Sequence, residues 1–206
     1  ICLMTPEEHI RALNEKPELL KSCGRPAIDT QVEIRDDDDN PLPIGEVGQI
    51  CAKGPQIMKG YWNKDEESQK ALKGGWMHTG DAGRMDEEGF VFIQDRIKDM
   101  IVSGGENIYS TEVEAALFAH PDVIDAAVIG VPDEKYGEVV KACIVKKEGS
   151  KINEEDLINF CKDRIASYKK PQSIDFIDEV PRNASGKVLK KVLREPYWKG
   201  QDRQVS

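Results

Sequence analysis

Near Asp95 the residue pattern of this chain changes, and no single repeating architecture fits both sides of the change. Before it the chain reads as strands and turns with one helix, and after it strands alternate with well-marked helices. On the first side Thr30-Gln31-Val32-Glu33-Ile34-Arg35 alternates with period two and runs into Asp36-Asp37-Asp38-Asp39-Asn40-Pro41. A second strand over 47–52 then predicts a hairpin. The acidic tip reads as a solvated loop, with a cation site as its alternative. A short capped helix is predicted over 63–72. On the second side Thr111-Glu112-Val113-Glu114 has the Thr-x-x-Glu form of a capping box. It predicts a helix that buries Val113, Ala116 and Leu117 and stops before His120-Pro121. Two β-rich runs, 123–130 and 139–147, flank a Pro132-Asp133 turn. Asn153 caps a helix carrying Leu157, Ile158, Cys161 and Ile165 at helical spacing, and a strand over 174–177 follows. The fold class expected is α+β: residues 1–95 form a β-rich part, and residues 96–206 a small α+β part with its helices on one face.

Composition narrows the function classes. With 39% hydrophobic and 33% charged residues over 206 positions, the chain can bury a real core, and it has no apolar run near the ~18 residues that span a membrane. No basic leader with an apolar core opens it, so a cytoplasmic protein is expected. A net charge of -9 disfavours a nucleic-acid partner, which needs clustered Lys and Arg to release counterions. A nucleotide triphosphate can still bind through a few placed cations and Mg2+. Cys2, Cys23, Cys51, Cys143 and Cys161 are scattered, without a C-x-x-C pair or His partners at metal spacing. They read as reduced structural thiols, and no metal site is expected.

Four short motifs carry the functional reading. In order they are Gly75-Trp76-Met77-His78-Thr79-Gly80-Asp81, then Asp95-Arg96-Ile97-Lys98-Asp99 leading to Ser103-Gly104-Gly105-Glu106-Asn107, then Tyr168-Lys169-Lys170-Pro171, and last Pro181-Arg182-Asn183-Ala184-Ser185-Gly186-Lys187. Taken singly each is bland: Asp81 is a turn aspartate, Arg96 a surface ion-pair residue, Gly104 and Gly105 turn glycines, and Lys187 a solvated lysine. Ser-Gly-Lys also fails the phosphate-loop pattern, which requires a second Gly and a Ser or Thr after Lys.

Together and in this order the motifs resemble the last motifs of the adenylate-forming enzymes, over nearly the whole chain. That superfamily holds acyl-CoA synthetases, peptide-synthetase adenylation domains and luciferases. The wording from Asp95 to Ile108 is most similar to fatty-acyl-CoA ligases. The resemblance implies residues 1–95 as the last part of the large AMP-binding domain, and 96–206 as the small mobile C-terminal domain. It implies that Asp81 accepts hydrogen bonds from the ribose hydroxyls of ATP, that Arg96 also reaches the ribose, and that Lys98 is the hinge. Gly104 and Gly105 would line the tunnel for the CoA pantetheine arm, and Lys187 would be the catalytic lysine of adenylation. Gly45 to Ile50 and Gly60-Tyr61-Trp62-Asn63 are assigned structural roles, with Tyr61, Trp76 and His78 packing or ordering the ribose turn.

The reaction implied is that of an acid-thiol ligase. A carboxylic acid, a fatty acid by wording, reacts with ATP and then CoA to give acyl-CoA, AMP and pyrophosphate. A Ser/Thr/Gly-rich phosphate loop and an aromatic-Gly-x-Thr-Glu segment, which normally supplies a Mg2+-associated glutamate, are absent from the sequence. The expectation is therefore a C-terminal portion of an enzyme, inactive without its missing N-terminal part. The alternatives are a non-catalytic binding or regulatory module, and an adenylation domain loading a carrier protein.

Overall fold

The computed structural model describes residues 1–200, so positions 201–206 of the expected second part lie outside the described residues. The chain divides into two compact units, Ile1–Ile97 and the residues from Lys98 onward. The first contains β1 (Cys2–Leu3), α1 (Pro6–Asn14), β2 (Arg25–Pro26), β3 (Gln31–Arg35), β4 (Gly48–Lys53), α2 (Asp65–Ala71), β5 (Met77–Met85) and β6 (Val91–Arg96). The predicted hairpin is β3–β4, with Ile34 opposite Ile50. It continues as an antiparallel four-stranded meander in the order β3-β4-β5-β6, beside a two-stranded β1–β2 ladder. Val32 and Ile34 point with Ile50 and Val91 into one core, as period-two alternation requires.

Two helices, not one, occur in this unit. The helix that sequence reading misses is α1, although Thr5-Pro6-Glu7-Glu8 carries its signal. Thr5 accepts from the Glu8 amide, Glu8 accepts from the Thr5 amide, and Pro6 occupies the first helical position, where its missing N–H costs nothing. Ala12 and Leu19 then pack on Phe90 and Phe92. α2 falls inside the predicted 63–72, but its N-cap is Lys64 and makes no side-chain cap bond. Of the aromatics expected to pack or order the ribose turn, Trp76 is buried but Tyr61 is 47% exposed.

The second unit contains β7 (Ile101–Ser103), β8 (Glu106–Ile108), α3 (Ser110–Phe118), β9 (Val123–Asp133), β10 (Gly137–Lys146), α4 (Glu154–Lys162), β11 (Ser173–Phe176) and α5 (Lys190–Arg194). β9 and β10 form a long antiparallel hairpin along one edge of β10. β11, parallel to β10, and the β7–β8 hairpin share the other edge. α4 supplies the crossover that a parallel pair needs. Val128, Val140, Ala142 and Ile144 face α3 and α4, meeting Val113, Leu117, Leu157 and Cys161.

The expected capping box at Thr111 does not form. α3 begins at Ser110, its N-cap is Tyr109 with no side-chain cap bond, and Glu114 instead accepts from the Val128 amide at 2.9 Å. The helices do not all lie on one face either. Ile129, Val131, Val139 and Cys143 turn the other way and are covered by Leu193 of α5 and by Tyr197. Lys141 shares that face and is buried, its ammonium 2.6 Å from the Asp175 carboxylate, which also accepts from the Tyr197 hydroxyl. A buried ammonium needs such a partner, and β11 supplies it beside the strand that carries the lysine.

Candidate functional site

The first cluster is built by irregular pairing around Thr79-Gly80-Asp81. Gln49 pairs with Ala82 and Cys51 with His78, so two steps along β4 match four along β5. The surplus bulges out at 79–81, and bulges of this kind re-aim side chains. Thr79 holds the bulge from inside: its hydroxyl donates to the Ile50 carbonyl at 2.9 Å and accepts from the Asp81 amide at 3.1 Å. On the other side Asp81 pairs with Arg96 of β6, where a second irregularity lies between Ala82 and Gly83. Gly83 permits the close approach, because a Cβ there would meet the Phe92 carbonyl oxygen at 2.5 Å. The Arg96 Nε stands 3.4 Å from the Asp81 carboxylate, with both side chains about a third exposed, at 38% and 31%. A carboxylate with spare acceptor capacity beside a guanidinium suits a ligand bearing vicinal hydroxyls.

Against the same strands sits a group that sequence reading separated. Asp39, at the end of the acidic run, is not solvated: its side chain is 18% exposed and accepts from Arg35 at 3.3 Å. One ligand atom each of Asp39, Cys51 and His78 lies within 4.8 Å of the others. The Arg35 guanidinium stacks over Trp76, 4.5 Å from the ring centroid. Asp36 meanwhile caps the turn through the Asn40 amide, which holds its carboxyl below the usual carboxylate range.

The second unit begins at Lys98, in a short 3-10 turn over Ile97–Asp99. Arg194 of α5 pins this turn, donating to the Lys98 carbonyl at 3.0 Å and to the Asp99 carboxylate at 2.9 Å. Gly104 and Gly105 are the two central residues of the β7–β8 hairpin, at φ of +60° and +88°, the condition of a type I′ turn. Gly104 backs onto Tyr136, where a Cβ would stand 3.1 Å from the ring, while a Cβ on Gly105 would meet open space.

Lys187 is exposed and closes a tight loop tied to β9. Arg182 donates to the Gly186 carbonyl at 3.0 Å and forks onto the Asp125 carboxylate at 2.8 and 3.0 Å. The Asn183 side-chain oxygen accepts from the Ser185 amide at 3.0 Å, the Ser185 hydroxyl at 2.8 Å and the Lys187 amide at 2.9 Å. Lys169, in the Tyr-Lys-Lys-Pro motif, pairs with Glu112 of α3 at 2.7 Å.

The glycine turn and the lysine loop are therefore not brought together. Ser103 pairs with Gly137 at one end of the β9–β10 hairpin, whereas Asp125 anchors the lysine loop near the other. The eight residue steps from Asp125 to Asp133 span roughly 26 Å at about 3.3 Å each.

Residues 112–187 match the AMP-binding enzyme C-terminal domain, and residues 2–62 match the AMP-binding enzyme family. The chain belongs to the AMP-binding enzymes. A long-chain-fatty-acid–CoA ligase of Escherichia coli O6:H1 is 45% identical over 84% of this chain and 31% of its own length. A feruloyl-CoA synthase of an Amycolatopsis species is 44% identical over 87% of this chain and 37% of its own. Among solved structures, o-succinylbenzoate CoA synthetase from Bacillus subtilis, in complex with its acyl-adenylate intermediate, aligns with a TM-score of 0.83. It is 38% identical, over 94% of this chain and 38% of that one. The chain thus spans about a third of the length of the curated relatives it matches, 31% and 37% for these two. None of its described helices is long and apolar enough to cross a membrane.

Proposed function

We propose that this chain carries the ribose clamp and the moving catalytic half of an acid-thiol ligase. In that reaction a carboxylate oxygen attacks the α-phosphorus of ATP and pyrophosphate leaves. The CoA thiolate then attacks the acyl carbonyl and AMP leaves. The first unit is read as the last part of the large domain, with Asp81 accepting from the ribose hydroxyls and Arg96 beside it. The second unit is read as the small mobile domain, with Lys98 as its hinge. Lys187 serves adenylation: two anions must approach while charge builds on the phosphoryl oxygens, and a placed ammonium offsets that charge. Mg2+ would accompany the ATP and belongs with the remainder of the enzyme.

The observation that carries this reading is the separation of the two loops on one hairpin. Two loops anchored roughly 26 Å apart along one hairpin cannot serve one reaction centre in one pose. Turning the unit about Lys98 would withdraw Lys187 and present Gly104-Gly105, whose open side leaves room for a thiol arm. A fatty acid is the acid inferred, supported by the long-chain-fatty-acid ligase at 45% identity. The feruloyl-CoA synthase at 44% makes an aryl acid the second reading.

The test is pyrophosphate exchange by the full-length enzyme, screened over fatty and aryl acids. Lys187→Ala should abolish exchange while thioester formation from supplied acyl-adenylate survives. Loss of both steps to the same degree would refute the division of labour. The chain alone should give no exchange.

A further inference from the structure

Three zinc-type ligands meet in the first unit outside the nucleotide clamp: the Asp39 carboxylate from the turn after β3, the Cys51 thiol from β4 and the His78 imidazole from β5. His78 is the informative member. Its Nδ1 lies 2.6 Å from the Gln49 side-chain oxygen, a contact that places the ring proton on Nδ1. The Nε2 lone pair then points inward. That atom is buried and has no hydrogen-bond partner among the described residues, a state that costs about 1–3 kcal/mol if nothing occupies it.

Nε2 faces the Asp39 Oδ1 at 3.6 Å, too far for a hydrogen bond. Two ligands on one tetrahedral ion, each bonded at about 2.0–2.1 Å, stand roughly 3.3 Å apart, so the gap fits a shared ion with little movement. The Cys51 Sγ lies 3.5 Å from the Nδ1 edge of the same imidazole, and a thiolate drawn to an ion on Nε2 must shift toward that side, within a group whose ligand atoms already lie inside 4.8 Å of one another. The outer contacts suit an ion as well. A ligating histidine characteristically donates its other N–H to a fixed acceptor, the part Gln49 plays, and a ligating carboxylate is held by a further hydrogen bond, here from Arg35. Charge also balances. Arg35 is offset by Glu33 at 2.8 Å, which leaves Asp39 and a Cys51 thiolate to neutralise a divalent ion.

We propose that Asp39, Cys51 and His78 form a binding site for a borderline-soft divalent cation of the zinc type, clasping the β3–β4 turn to β4 and β5. A thiolate and an imidazole select against Mg2+, so the site is distinct from any Mg2+ that accompanies ATP. Binding releases the Cys51 proton, which the metal's own charge makes favourable although burial pushes that thiol up to about 11. Three protein ligands leave one position open to water or a small anion.

The experiment is titration of the reduced, metal-free chain with Co2+ and then Zn2+. One equivalent should produce a thiolate-to-cobalt charge-transfer band that Zn2+ bleaches. Cys51→Ser should remove the band, His78→Gln and Asp39→Asn should weaken binding at least ~100-fold, and Gln49→Ala should weaken it ~10 to 100-fold. The double change Cys2→Ser with Cys23→Ser should leave the band intact. A measurement needing no variant is the long-range 1H–15N spectrum of His78: sub-stoichiometric Zn2+ should shift Nε2 to a metal-bound position while Nδ1 stays protonated. No band in the unaltered chain, a band that survives Cys51→Ser, or an Nε2 signal unmoved by Zn2+ would overturn the assignment.

Discussion

Asn183→Ala isolates the holding of Lys187 from the lysine itself. The Asn183 oxygen accepts three hydrogen bonds within the loop, from Ser185 twice and from the Lys187 amide at 2.9 Å. The loop is exposed, so each bond contributes near the lower end of the usual range, about 0.5 kcal/mol, and the three together about 1.5 kcal/mol. Since 1.4 kcal/mol is a factor of ten, the ordered loop should lose about tenfold in population. Global stability should hardly move, because no core contact is lost. Two assays read the effect. Hydrogen exchange at the Lys187 amide in this chain should quicken about tenfold, and pyrophosphate exchange by the full-length enzyme should slow by a similar factor. Asn183→Asp keeps the acceptor and should restore most of both. Unchanged exchange at the Lys187 amide would refute the anchoring argument. A loosened loop with undiminished pyrophosphate exchange would instead refute the role given to Lys187.

The Glu88 carboxyl is held down to about 2 by hydrogen bonds from Arg11 and Lys16, against an ordinary 4.5. A depressed acid stabilises the fold fully above the unfolded value and loses that contribution as pH falls, so the loss belongs between about pH 4.5 and 2. Urea midpoints of Glu88→Gln should be flatter than wild type across that window, and parallel curves would contradict the assignment. Leu117→Ala, at a fully buried position of the second core, should cost about 2–5 kcal/mol by urea denaturation, whereas Phe118→Ala at the exposed neighbour should stay within ~0.5 kcal/mol. Gly104→Ala and Gly105→Ala both force a left-handed residue at about 1–2 kcal/mol. Gly104→Ala should cost more, because its Cβ meets Tyr136 at 3.1 Å and that of Gly105 meets nothing.

Much of the fold was legible locally. The β3–β4 hairpin follows from alternation in 30–35 and a turn-rich break, α4 from its Asn153 cap, and β9 and β10 from their two β-rich runs, although Pro132 and Asp133, expected as the turn, pair as the end of β9 and the turn lies at 134–136. α1 was equally legible, since its Thr5–Glu8 capping box stands in adjacent residues. The Thr111 box was misleading. Glu114 has stronger partners in the Val128 amide and the Lys190 ammonium, and tertiary contacts outweigh a cap of about 1 kcal/mol.

By itself the sequence determined the family, through four motifs in order, and singled out Asp81, Arg96 and Lys187 as the residues proposed for its chemistry. Tertiary structure alone decided how they are held. The bulge at 79–81 exists because β4 and β5 pair out of step, and no pattern within either strand encodes a mismatch between them. Arg182 meets Asp125 across 57 positions, and Cys51 meets His78 across 27, because folding sets their strands and loops side by side. Periodicity and capping act over a few residues and can be read along the chain. Register, strand order and the burial of the His78 Nε2 arise from many distant contacts at once, and only the assembled sheet fixes them.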